Sequence, residues 1–114
     1  MQPDARDAAY LLDMLDSSRL VLQYVTSRTR EDLDRDSMLF DAIQRRIEII
    51  GEAARRVSKE FKDAHPEIQW RPIMATRHIL AHDYDEVNPD IVWRICQQHL
   101  PRLNEQIGAI LPSL

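Results

Sequence analysis

Residues 37 to 61 read Ser-Met-Leu-Phe-Asp-Ala-Ile-Gln-Arg-Arg-Ile-Glu-Ile-Ile-Gly-Glu-Ala-Ala-Arg-Arg-Val-Ser-Lys-Glu-Phe. Leu39, Phe40, Ile43, Ile47, Ile50, Ala54, Val57 and Phe61 fall on one face of a helix with 3.6 residues per turn. Ser37 is of a type that caps helix N-termini. Pro66 should end the helix, because the residue before a proline is pushed out of the helical region. The pattern predicts one long helix, roughly 25 residues or 38 Å at the usual rise per residue.

Working outward, a second amphipathic segment precedes it from about Asp4 to Thr26. Ala8, Leu11, Leu12, Leu15, Leu22 and Val25 recur there at helical steps. Ser27 to Asp36 is dense in charges and hydroxyls and reads as a loop. Two long helices joined by a short loop predict an antiparallel hairpin. A third helix should begin near Trp70, with Pro72 suited to its first turn, and end near His82-Asp83-Tyr84. Asn88-Pro89 predicts the fourth, as an N-cap followed by Pro at the first helical position. Ile91, Val92, Ile95, Leu100, Leu103, Ile107 and Leu111 give its buried face, and Pro101 should kink or split it. Trp70 and Trp93 are expected as core anchors. The fold class is all-α, an antiparallel bundle of four to five helices forming a single domain over residues 1–114.

Composition agrees. Hydrophobic residues make up 44% and charged residues 30%, a globular balance, and only 2 Gly argue against a turn-rich β fold. No apolar run approaches the roughly 18 residues of a membrane span. The acidic start, Met1 to Asp7, lacks the layout of a signal peptide, so a cytoplasmic location is expected. Cys96 is alone, which excludes an intrachain disulfide and a cysteine-based zinc site, and it is expected to pack in the core. A net charge of -4 excludes a globally basic nucleic-acid binder but not a local basic patch. Of 15 basic residues only Lys59 and Lys62 are lysines. Arginine holds phosphate with a planar fork, though an Arg-rich chain also follows from codon bias.

Chemistry concentrates in Arg77-His78-Ile79-Leu80-Ala81-His82-Asp83-Tyr84. An imidazole titrates near pH 6.5 and can serve as base or acid, and a fixed guanidinium stabilises charge on a phosphoryl oxygen. Such a pair can cleave RNA without metal or cofactor. On an ideal helix Arg77 and His82 stand about 140° apart. Either the helix ends near Ala81 and the chain turns His82 back, or two subunits build the site. His78 and His82, four apart, could share a metal with Asp83 or Asp85 as third ligand, but Ile79 stands where a zinc protease carries Glu. The plainer reading is Arg77 paired with Asp83 or Asp85, and a His near a helix C-terminus. Arg45, Glu48, Glu52 and Arg56 read as an exposed ladder of weak ion pairs. Glu52 supports the site only if it faces the third helix, where Gly51 permits close approach.

The spacing Arg77, four residues, His82, one residue, Tyr84 resembles the R-x4-H-x-Y motif of the HepT-like toxins, in the HEPN superfamily of helical ribonucleases. Ile49-Ile50-Gly51-Glu52-Ala53-Ala54, Trp70-Arg71-Pro72-Ile73, Ile91-Val92-Trp93 and Leu100-Pro101 with Leu103 resemble other segments of that family, in order. Ala75-Thr76 departs from it, since relatives often carry Gly and an apolar residue there. The resemblance implies a metal-independent endoribonuclease toxin of a type II toxin–antitoxin system. It makes Arg77 and His82 the catalytic pair and His78 the substrate-positioning residue. It implies a homodimer with a composite active site, an RNA substrate and a cognate MntA-like nucleotidyltransferase that AMPylates Tyr84. Glu52 and Asp83 are candidate supporting residues. The alternative is a non-catalytic helical subunit that binds and regulates a nucleotidyltransferase; a third is a degenerate member kept as scaffold.

Overall fold

The computed structural model describes residues 3–81 and 87–111, with residues 77–81 described as helical backbone only. The described chain is an all-α bundle with no strand among those residues. Among the described residues seven α-helices follow one another: α1 Ala5–Tyr24, α2 Asp32–Arg35, α3 Ser37–Arg56, α4 Lys59–Ala64, α5 Trp70–Ala81, α6 Pro89–Arg94 and α7 Leu100–Ile110. A π-helical turn, Ile95–His99, joins the last two.

Helix α3 is the centre of the bundle, packed along α1 on one side and α5 on the other, while α7 closes against α1. The apolar stripe explains this placement. Ile43, Ile47, Ile50 and Ala54 of α3 are buried together with Leu11, Met14, Leu15 and Val21 of α1. Helices α1 and α3 run antiparallel, as expected, because Asp7 near the start of α1 bonds to Ser58 just beyond the end of α3. A polar tie fixes α7: Asn104 Nδ2 donates to Ser18 Oγ at 2.9 Å, and the Ser18 hydroxyl donates to the Leu15 carbonyl at 2.9 Å. Buried hydroxyls thus find partners inside the helix pair.

The structure differs from the sequence expectations in four places. The long helix is broken: α3 ends at Arg56, Val57 is extended (φ -61°, ψ 138°), and Ser58 caps a separate α4 by accepting the Phe61 N–H at 3.1 Å. The serine competes with the helix backbone as a cap, and Asp7 holds it there. The N-cap of α3 is Asp36, whose Oδ1 accepts the Leu39 N–H at 3.1 Å; Ser37 is the first helical residue. The expected loop contains the short helix α2, which buries Leu33 against the core. Trp93 is half-buried at the edge of the core, whereas Trp70 is a core residue.

Pro101 acts as expected, and the means is visible. A proline cannot donate the i→i−4 bond. The chain answers one residue earlier, where the Leu100 N–H reaches back five residues to the Ile95 carbonyl, and Pro101 falls in the first turn of α7. Asn88 caps α6 by accepting the Asp90 N–H at 2.8 Å, with Pro89 opening the helix. No helix among the described residues is long and apolar enough to cross a membrane.

Candidate active site

Helix α5 carries the start of the Arg77–Tyr84 motif, and its N-terminus is anchored in the core. Trp70 is buried, and its indole Nε1–H donates to the His65 carbonyl at 3.0 Å. Phe61 meets the Trp70 ring edge-on at 6.3 Å and stacks on His65 at 4.3 Å. Such pairs fix ring orientation as well as burying area. Met74 takes a contact from Lys62 Nζ at 3.5 Å, and the same ammonium donates to the Arg55 carbonyl at 3.3 Å. Burial pushes the Lys62 ammonium below its ordinary pKa, with Asp7 pulling the other way. Within α5 the Thr76 hydroxyl donates to the Ile73 carbonyl at 2.6 Å.

Arg77 and His78 follow directly, on the last turns of α5, where the helix extends through Ala81. The expected end of the helix near His82 lies outside the described residues. The side chains of Arg77 and His78, and all of His82, Asp83 and Tyr84, lie outside the described residues. The expected metal pair of His78 and His82, and its third ligand Asp83 or Asp85, fall there too.

Glu52 is described. It sits on α3, half-exposed, in an ion pair with Arg56 at 3.2 Å and a longer one with Arg55 at 3.8 Å. Glu52 first, and then Tyr10, hold the Arg56 guanidinium above its ordinary pKa. Arg45 and Glu48 pair at 3.4 Å, so the ladder expected from the sequence exists. These groups, with Tyr10 and Asp13 of α1, wall a polar groove of about 430 Å³ between α1 and α3. Exposed pairs of this kind contribute little stability.

A second hollow adjoins α5 and carries different chemistry. It has a volume of about 400 Å³ and an apolar floor that includes Ile47 and Ile50 of α3, Pro72 and Ile73 of α5, and Ile91 and Ile95. Thr76, the residue before Arg77, lines it as well. Much of its polar lining comes from the π-turn and its flanks, where Arg94, Gln98, His99 and Arg102 gather, with Gln69 and Gln106 beside them. Sequence reading passed over these residues. The only trace was Pro101, which demands the irregular turn that carries Gln98 and His99.

The family model for "Ribonuclease HepT-like" matches residues 14–110. That span takes in α1 from Met14 onward, all of α3 and α5, and the whole Arg77–Tyr84 motif. The chain belongs to the HepT-like ribonuclease family. Among curated relatives, a protein named "Putative RNase" of Caldanaerobacter subterraneus is 34% identical over 102 residues, which are 90% of this chain and 91% of that one. A "Probable ribonuclease HepT" of Thermococcus cleftensis is 33% identical over 94 residues, 82% of this chain and 86% of that one. A "Gamma-glutamylcyclotransferase and putative RNase" of Methanocaldococcus jannaschii is 34% identical over 105 residues, 92% of this chain. There the chain spans only 47% of the relative's length. No solved structure gives a significant match. Ribonuclease is therefore the activity named at the level of the HepT-like family, and the resemblance seen in the sequence is that of a true member.

Proposed function

We propose that this HepT-like protein is a metal-independent endoribonuclease toxin of a type II toxin–antitoxin system. The observation that carries the reading is the family match over residues 14–110, which contains an intact R-x4-H-x-Y motif beginning on the last turns of α5. His82 takes the proton of an RNA 2′-hydroxyl. The freed oxygen attacks the adjacent phosphorus, and the 5′-oxygen leaves and takes a proton. Products are a 2′,3′-cyclic phosphate and a 5′-hydroxyl. Arg77 stabilises the charge on the pentacoordinate phosphorus. His78 positions the substrate, and Asp83 and Glu52 support the site.

The family resemblance favours a homodimer in which two motifs build one composite site, which brings Arg77 and His82 together even where they stand about 140° apart on one ideal helix. Tyr84 is the off switch. An MntA-like nucleotidyltransferase transfers AMP from ATP to its hydroxyl, placing bulk and negative charge beside Arg77 and blocking RNA phosphate.

A second reading has the net charge of -4 in its favour, because acidity opposes RNA binding. In it the chain is a non-catalytic subunit that binds and regulates the nucleotidyltransferase. One experiment separates the two. Purified protein with unmodified Tyr84, checked by intact mass, is incubated with total cellular RNA in excess chelator beside the His82→Ala protein. Cutting by the native protein alone is the expected result. Silence from both would move the assignment to the regulatory subunit, and equal cutting by both would remove His82 from catalysis.

A further inference from the structure

The hollow beside α5 has a lining that neither helix packing nor the catalytic motif accounts for. No carboxylate among the described residues lines it. Arg94 and Arg102 both do, and neither forms an ion pair with any described residue. In a chain of net charge -4, two guanidiniums without an ion pair among the described residues, with His99, beside one apolar floor make a local site for anions. The floor is too apolar for a phosphate alone. The amides of Gln69 and Gln98 add donors and acceptors at its edge.

This combination matches a nucleotide, with its flat apolar faces, hydrogen-bonding edges and one anionic phosphate. Size points the same way. A volume of about 400 Å³ lies in the range of sites for single small organic groups. Position agrees too, since Ile73 and Thr76 on its wall stand on the helix that continues into Arg77.

We propose that this cavity is a nucleotide subsite for single-stranded RNA. It holds a residue flanking the scissile phosphate, with the base over Ile73, Ile91 and Ile95 and a phosphate on Arg94 and Arg102. The inference rests on the ribonuclease reading.

The test uses a short, fluorescein-labelled, single-stranded 2′-O-methyl oligoribonucleotide, which binds but cannot be cut. Its affinity is measured by anisotropy over a range of salt for the native protein and for Arg94→Gln/Arg102→Gln. The double variant should bind roughly tenfold more weakly. Its salt slope should fall by about 0.7, because one phosphate loses its neutralising partners. On the cleavable RNA, KM should rise while kcat stays within about twofold. Unchanged affinity and slope would overturn the subsite, and native cutting in the same samples would leave the nuclease reading standing. Native binding without cutting would remove the nuclease reading and keep an RNA-binding cavity. Ile91→Glu is run alongside in sedimentation. Conversion of a dimer to a monomer would mean that a second copy covers the hollow, and would overturn the proposal.

Discussion

Asp7 and Ser58, 51 residues apart, hold the bundle's open end together. Asp7 is buried; its Oδ1 accepts the Ser58 N–H at 2.8 Å and its Oδ2 accepts the Ser58 hydroxyl at 2.6 Å. The same hydroxyl oxygen accepts the Phe61 N–H, so one carboxylate fixes the α3–α4 break and, through α4, the Phe61 ring against which Trp70 packs. Asp7→Ala should destabilise the fold by about 2 kcal/mol, because it leaves the half-buried Ser58 N–H and hydroxyl without their charged acceptor. Denaturant unfolding with an unchanged m-value is the check. A loss under about 0.5 kcal/mol would show that the clamp is not formed in solution.

Capping at the start of α3 gives a sharper test, because the two candidate residues are adjacent. Asp36 Oδ1 accepts the Leu39 N–H, and Ser37 already lies in the helix. Asp36→Ala should cost about 1 kcal/mol, and Ser37→Ala should cost almost nothing, since Ala is the better helix former. The reverse order in urea midpoints would restore the cap to Ser37.

The residues of α3 and α7 show what was legible in the sequence. Period-3.6 spacing of Ile43, Ile47 and Ile50, and of Leu100, Leu103 and Ile107, marks faces that are buried in the bundle. Asn88-Pro89 states a helix start in two residues, because both cues are local. The break at Val57–Ser58 was not legible, because its cause is Asp7, far off in the chain. The loop helix α2 was hidden for a similar reason, since one Leu33 among charges gains its meaning only from the core it meets. At the site, the motif was plain as a spacing of residue types. The basic, amide-edged hollow beside it was not, because Gln69, Arg94, Gln98 and Arg102 come from different elements and converge only on folding.

Cys96 sits in the π-turn with its thiol buried, and burial pushes its pKa up to about 12. The folded protein therefore keeps the proton where the unfolded chain, near pH 8.5, gives it up. Between those values the native state binds more protons, so this contribution to stability falls as pH rises from about 8.5 towards 12, by at most about 1.4 kcal/mol per pH unit. Below pH 8 the group should contribute no pH dependence. Comparing the slope of unfolding free energy against pH for the native protein and Cys96→Ala isolates it from the lysines and tyrosines. Iodoacetamide should label Cys96 at pH 8 only after denaturant is added; rapid labelling of folded protein would contradict the buried placement.

Tyr84 separates catalysis from control. In the proposed scheme its hydroxyl is the acceptor of AMP and plays no part in proton transfer, so Tyr84→Phe should cut RNA within about threefold of the native rate. The phenylalanine ring keeps the shape and removes only the oxygen. The variant should gain no mass on incubation with the cognate nucleotidyltransferase and ATP, and should stay active there, while the native protein gains AMP and falls silent. His82→Ala makes the complementary control, because it should still accept AMP while cutting nothing. Loss of cleavage in Tyr84→Phe itself, with its fold intact, would place the hydroxyl among the reacting groups and remove it as a dedicated switch. Full silencing of Tyr84→Phe by the nucleotidyltransferase without any mass change would instead mean that inhibition is by binding, with the bound partner rather than the transferred nucleotide closing the site.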